Sequence, residues 1–297
     1  MIERSKKEFI FAFFIFIFIV FFILFVTLIG RGGNVTVVDN KSTTRTTTTT
    51  ERRKTDTSPN NVNNLLNDIV IYPHNLIPNT DGAKEMKDIL LESLKEIDTK
   101  FLKAIWHSGG RIVITDGIIT DIPELSDLRG QEVCGEHRCR RFEDINGIYR
   151  DNRAYVTLGI SRFPVCTFDC QINRVGSLVQ TLFHEVGHLI DYSMALRMQF
   201  SVNSNIHLSN TTKFKEIHNL EHKILFNSFN NQFYTDVGYF AILEEYFAES
   251  FYLYHHEKIA KFMPNPGINR TNILRDVAPN TYDYFESIKT KYQPIEI

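Results

Sequence analysis

The chain has 297 residues, 35 acidic against 33 basic side chains and a net charge of −2. It has no dense basic block and no arginines interleaved with aromatic residues, a pattern that argues against a nucleic-acid partner. Once the N-terminal segments are set aside, the remainder is long enough to bury one substantial core, so one folded domain is expected.

Residues 1–8 form a short tail. Residues 9–29 carry no charge and only Thr27 as a polar interruption, which is the length an apolar helix needs to cross a bilayer. A cleavable signal peptide has a shorter apolar stretch and a small-x-small cleavage site, so the segment predicts a retained signal anchor lying in the lipid bilayer, with a cleaved, secreted form as the alternative. Arg4, Lys6 and Lys7 before it nearly balance Arg31, Lys41 and Arg45 after it, and charge alone barely orients it. Cys134, Cys139, Cys166 and Cys170 all lie beyond the span and are even in number. That favours disulfides in an oxidising compartment, hence a single-pass type II membrane protein with an extracellular or luminal domain and residues 1–8 in the cytoplasm. A structural zinc site is the rival use of the four cysteines, but Cys-x4-Cys and Cys-x3-Cys are not its usual close pairs. The disulfide pairing stays open. A domain facing the cytosol is the competing orientation, separable by the oxidation state of the cysteines.

Residues 30–65 are rich in Thr and Asn, including Thr46 to Thr50, with almost nothing large and apolar to bury. They predict a disordered stalk. Asn34, Asn40, Asn210 and Asn269 begin N-glycosylation sequons.

Residues 66–297 are expected to be the ordered domain. Met86, Ile89, Leu90, Leu94, Ile97, Phe101 and Ile105 recur at helical spacing, predicting one amphipathic helix over 83–106. Residues 111–115 read as a strand ended by the turn pair Asp116-Gly117, and residues 154–160 as a second strand. Helical spacing returns over 175–194, more weakly over 213–229, and strongly over 241–256, with Pro264 and Pro266 stopping the helix beyond it. One small mixed sheet with flanking helices makes the fold class α+β.

The chemistry concentrates at His184-Glu185-Val186-Gly187-His188. Helix positions four apart share a face with β-carbons about 5–6 Å apart, so the two imidazoles can converge on one ion. Zinc takes such nitrogens at about 2.0–2.1 Å and keeps a position open for water in catalytic sites, while Glu185 beside the first ligand is placed to accept a proton from that water. Asp191, on the same face, is read either as a second-layer partner orienting an imidazole or as a solvated helix acid. The third ligand is sought at Glu244, Glu245 and Glu249, acids on an otherwise apolar, aromatic helix. Glu245 and Glu249 share a side, so one could bind zinc while the other holds a ligand histidine; a solvated acidic stripe is the plain alternative. His218 and His222 repeat the spacing as a rival pair but have no glutamate in the needed place.

Four stretches together resemble the catalytic domain of anthrax lethal factor and its relatives, the Pro-Pro endopeptidases: Ile-Thr-Asp-Gly at 114–117, Thr-Asp-Ile-Pro-Glu-Leu at 120–125, Gly-Ser-Leu-Val-Gln-Thr-Leu-Phe-His-Glu-Val-Gly-His-Leu-Ile-Asp at 176–191, and Glu-Tyr-Phe-Ala-Glu-Ser-Phe at 245–251. The resemblance runs from about 111 to 292 and implies a zincin-like metallopeptidase domain acting on peptide or protein substrates. By it, His184, His188 and Glu245 would bind Zn2+, Glu185 would be catalytic and Glu249 a supporting acid. It also implies a tyrosine that stabilises the oxyanion. Tyr239 is the best match, one residue closer to Glu245 than the family pattern; strict register falls on Gly238, and Tyr234 is the fallback. The strand over 155–160 is expected to pair with an extended peptide. The competing function is a surface binding module on the same scaffold that has lost catalysis, whose mark would be a broken ligand set.

Overall fold

The structure is a computed structural model that describes residues 61–73, 81–134, 139–159, 168–198, 207–229, 240–263 and 267–292. The anchor at 9–29, most of the stalk, Cys166, Tyr234, Gly238 and Tyr239 lie outside the described residues. Among the described residues no helix is long and apolar enough to cross a membrane.

Among the described residues the first element is α1 (Val62–Ile69), which runs into the two-residue strand β1 (Val70–Ile71); the stalk expected to reach residue 65 therefore ends earlier, because Leu65 and Leu66 are buried in the core. The helix expected over 83–106 is two helices, α2 (Asp81–Leu94) and α3 (Thr99–Ser108). Asp98 starts the second by accepting a hydrogen bond from Lys100 N at 2.9 Å, the N-cap role a short carboxylate favours. Ile97 is buried in the turn between them. It keeps the apolar spacing running across the break, which is why periodicity alone joined the two.

Strand β2 (Arg111–Thr115) comes next, then a small antiparallel ribbon of β3 (Glu132–Cys134) and β4 (Cys139–Arg141). Cys134 faces Cys139 in register and is bonded to it, so this pair is a disulfide and offers no thiolates to a metal. Strands β5 (Gly147–Arg150) and β6 (Arg153–Thr157) form a hairpin whose two loop residues, Asp151 and Asn152, have φ of 51° and 59°. Asp and Asn tolerate this left-handed region better than other non-glycine residues, and a loop with positive φ at both positions matches the right-handed twist of its strands.

The main sheet has the order β1-β2-β6-β5, with β1, β2 and β6 parallel and β5 antiparallel to β6. Alternation sorts its side chains. Ile112, Ile114, Ala154 and Val156 face the helical core, whereas Val113 and Tyr155 pack with Ile119, Ile122 and Leu125 of the short turns on the other face. Strand β6 is thus paired on both sides. The expectation that residues 155–160 pair with a peptide is corrected: β6 has no free edge, and the edge strand of the main sheet nearest the later helices is β5.

The long helix α4 (Phe168–Arg197) packs against β5, β6 and α3 and against α6 (Leu243–Ile259). Between these two comes α5 (Thr212–Ser228) and, after α6, α7 (Arg270–Val277) and α8 (Pro279–Lys291). The last two lie beyond the prolines where helical reading stopped. Pro279 sits in the first turn of α8, where its missing N–H is no loss.

Candidate metal centre

Helix α4 carries His184, Glu185 and His188, and α6 carries Glu244, Glu245 and Glu249. What lets the two helices approach is Gly187: a Cβ there would stand 2.7 Å from Ala248 Cα and 2.8 Å from Ala248 O. Ala248 lies between the two acids of α6, so the closest contact of the helices is also where their polar groups meet.

Three ligand atoms converge. His184 Nε2 lies 3.2 Å from His188 Nε2 and 3.2 Å from Glu245 Oε2, and His188 Nε2 lies 3.5 Å from the same oxygen. Ligands about 2.0–2.1 Å from a tetrahedral zinc stand about 3.3–3.4 Å apart, so the triangle has the dimensions of a tetrahedral site with its fourth corner open. Two imidazoles and one carboxylate are also a zinc donor set, and among the described residues no other metal-sized group of potential ligands is free of a disulfide.

Glu249 Oε2 lies 3.2 Å from His184 Nδ1, and its side chain is only 4% exposed. With the carboxylate accepting from Nδ1–H, Nε2 is left with its lone pair facing the triangle. Tyr149 of β5 stacks on the His188 ring at 5.9 Å between centroids. Burial works to lower the His184 pKa, and hydrogen bonds to Glu245 and Glu249 more than offset it and raise it. For Glu245, burial works upward and the two histidines hold the carboxyl below its ordinary range. Both shifts report one thing: the cluster stabilises positive charge at its centre, which is what a dication would supply in exchange for protons.

Glu185 is buried against the edge strand. Its pKa is raised, foremost by burial. A Cβ on Gly147 would stand 2.8 Å from Glu185 Oε1 and 2.5 Å from Thr181 Cγ2, so the edge strand rests on this carboxyl only because its first residue is glycine. A buried acid next to a candidate ligand histidine in the chain is placed to accept and return a proton.

Residues 56–288 match the family described as anthrax toxin lethal factor, N- and C-terminal domain. The chain belongs to the lethal-factor family. It is accordingly a metalloendopeptidase, and the inactive-module reading lacks the broken set that would mark it, since His184, His188 and Glu245 could together hold a metal ion. Among solved structures, the Pro-Pro endopeptidase from Paenibacillus alvei is similar over 75% of this chain and 99% of that one, with a TM-score of 0.51 and 23% identity, a likeness of fold. Among curated proteins none matches.

Other predicted residues fall elsewhere. Asp191 neither orients a ligand histidine nor meets solvent: it is fully buried, accepts from Ser209 N at 2.8 Å and Ser209 Oγ at 2.6 Å, and lies 3.3 Å from His207 Nδ1. Its partners are 16 to 18 residues away, beyond any helical periodicity. Glu244 accepts from Asn210 Nδ2 at 2.9 Å, outside the triangle. The rival pair is structural: His218 Nε2 donates to Phe240 O at 2.9 Å, and His222 Nδ1 donates to His218 O at 2.6 Å while stacking on that ring. Sequence reasoning missed Tyr149 and Gly147, because each reaches the centre through the sheet edge, and His207, whose tie to Asp191 comes through a turn.

Proposed function

We propose that the chain is a membrane-anchored zinc endopeptidase with its catalytic domain outside the cytoplasm, in which His184, His188 and Glu245 hold the metal. The observation that carries the metal assignment is the 3.2, 3.2 and 3.5 Å triangle of their ligand atoms. Bound zinc would polarise the scissile carbonyl and acidify a water molecule. Glu185 accepts the proton as that water attacks the carbonyl carbon and delivers it to the leaving amine. Glu249 fixes the His184 ring. The edge of β5 offers main-chain groups to an extended peptide, with Tyr149 and Gly147 bringing that edge over the site. Tyr239 is assigned to the oxyanion, with Tyr234 as its substitute.

The anchor at 9–29 rests on its uninterrupted apolar length, and the placement of the domain is supported by the Cys134–Cys139 disulfide, which persists in oxidising compartments. Proline-containing peptides are the first substrates to try, because the Paenibacillus alvei neighbour is a Pro-Pro endopeptidase.

The test is metal analysis of the full chain purified in detergent, with a quenched fluorogenic peptide library containing proline as substrate. About one zinc per chain is expected, with cleavage abolished by a chelator, restored by zinc, and lost in Glu185→Gln. Sub-stoichiometric zinc, or equal cleavage by both proteins, would overturn the assignment. Protease protection of tagged chains in sealed membrane vesicles tests the topology separately.

A further inference from the structure

The turn at Leu208–Asn210 is fastened to both ligand-bearing helices. Ser209 gives its N–H and hydroxyl to Asp191, three residues past His188, and Asn210 gives its amide to Glu244, the residue before Glu245. His207 opens this turn. Its Nδ1 lies 3.3 Å from the buried Asp191 carboxylate, and its ring meets the Tyr149 ring edge-on at 6.5 Å and the Tyr192 ring at 5.9 Å. Tyr149 is the residue stacked on His188. His207 is therefore held where the edge strand, the metal-binding helix and the first turn of α6 come together.

The other nitrogen differs. With Nδ1 directed at a carboxylate, Nε2 is the nitrogen turned away from it. The side chain is 24% exposed while its anchor Asp191 is 0% exposed. An imidazolium held from behind by a buried carboxylate, on a turn fastened to both ligand-bearing helices, has the build of a pre-oriented hydrogen-bond donor. The charged and titratable groups facing it are Asp191, Glu244, Tyr149 and Tyr192, and of these the two acids favour the imidazolium.

We propose that His207 is a further catalytic residue of this peptidase, donating a hydrogen bond from Nε2 to the carbonyl oxygen of the scissile peptide as that oxygen becomes an oxyanion. This rests on the reading of the site given under Proposed function. His207 keeps its proton throughout: the water proton passes to Glu185 and then to the leaving nitrogen, and the bond broken is the C–N bond. Asp191 is a positioning residue that holds the ring and its charge.

Removal of one oxyanion donor costs roughly 100- to 1000-fold in kcat. The experiment compares wild type, His207→Ala and His207→Gln as full chains in detergent, using the fastest-cleaved peptide of the fluorogenic library. The expected result is a kcat loss of that size in His207→Ala with KM within about threefold and zinc content unchanged, and partial recovery in His207→Gln, whose amide is a weaker, neutral donor. A second readout is affinity for a phosphinic analogue of that peptide, a tetrahedral mimic. It should fall with kcat, while affinity for the uncleaved peptide, measured in the Glu185→Gln background, should hold. If His207→Ala keeps wild-type kcat, or if KM and ground-state affinity carry the whole loss, the proposal is overturned. If the alanine variant does not fold, His207→Gln decides alone: at least a tenfold kcat loss supports the role, and wild-type kcat overturns it. A wild type with neither zinc nor cleavage would instead sink the peptidase reading itself.

Discussion

Gly187 and Ala248 touch backbone to backbone, with the position a Gly187 Cβ would take lying only 2.7 Å from Ala248 Cα. The candidate ligands His184 and His188 flank Gly187 on one helix, and Glu245 lies three residues before Ala248 on the other. Their spacing across the gap is therefore set by how closely α4 and α6 pack, so Gly187→Ala tests packing and metal binding together. Overpacking of this kind costs about 1–3 kcal/mol. Both the melting temperature of the metal-free protein and its zinc affinity are expected to fall. Unchanged values for both, by thermal unfolding and chelator competition, would show that the contact is not what sets the triangle.

Glu249 touches His184 at the nitrogen that faces away from the triangle. Its replacement by glutamine or alanine should weaken zinc binding by roughly 10–100-fold, the usual cost of losing such a partner. Competition with a chromophoric chelator measures this. Affinity equal to wild type would mean that packing alone orients the ring.

Glu221 offers a contrast, an acid buried for stability. It accepts from Asn280 N, Asn280 Nδ2, Thr281 N and Thr281 Oγ1 at 2.7–2.9 Å, capping the start of α8. Glu221→Ala should destabilise the fold by about 1–3 kcal/mol, because buried donors lose their acceptor. At a temperature where the variant is still folded, zinc content and kcat should match wild type. A large change in either would tie this cap to the active centre.

His255 predicts the acid limb of stability. It is buried among Phe101, Phe183, Phe251 and Tyr254, and burial foremost lowers its pKa to about 3. Its folded pKa is depressed below the unfolded value, so the unfolded chain binds the extra proton. This contribution is complete above about pH 6.5 and is lost as pH falls from there toward 3. At pH 5 the loss amounts to about 2 kcal/mol. His256, lowered to about 4 by burial first and Arg270 second, acts in the same direction. In His255→Phe the fall in melting temperature between pH 7 and pH 5 should be shallower than in wild type. An identical slope would place the acid sensitivity elsewhere.

Much of the centre was legible because its chemistry is local. The His184–His188 spacing needs only a helix, and the helix announces itself through Leu178, Leu182, Val186, Leu189 and Ile190, all buried in the core. The candidates for the third ligand came from asking why acids interrupt an apolar helix, and the family resemblance singled out Glu245 among them. The single helix expected over 83–106 shows the limit of that method, since Ile97 continues the apolar pattern through a turn that only Asp98 marks.

By itself, then, the sequence determined β2, β6 and the helices α4, α5 and α6, the two-histidine spacing with Glu185 beside it, and the acids among which a third ligand is sought, because each is a property of residues a few positions apart. Tertiary structure decided what depends on distant contacts. It made Gly187 a helix-crossing point, turned Asp191 toward His207 and Ser209, placed Glu249 behind His184, and gave the free edge near the site to β5 rather than β6. Helical periodicity tells which face of α4 is buried, but not which atoms 16 to 65 residues away will meet it there.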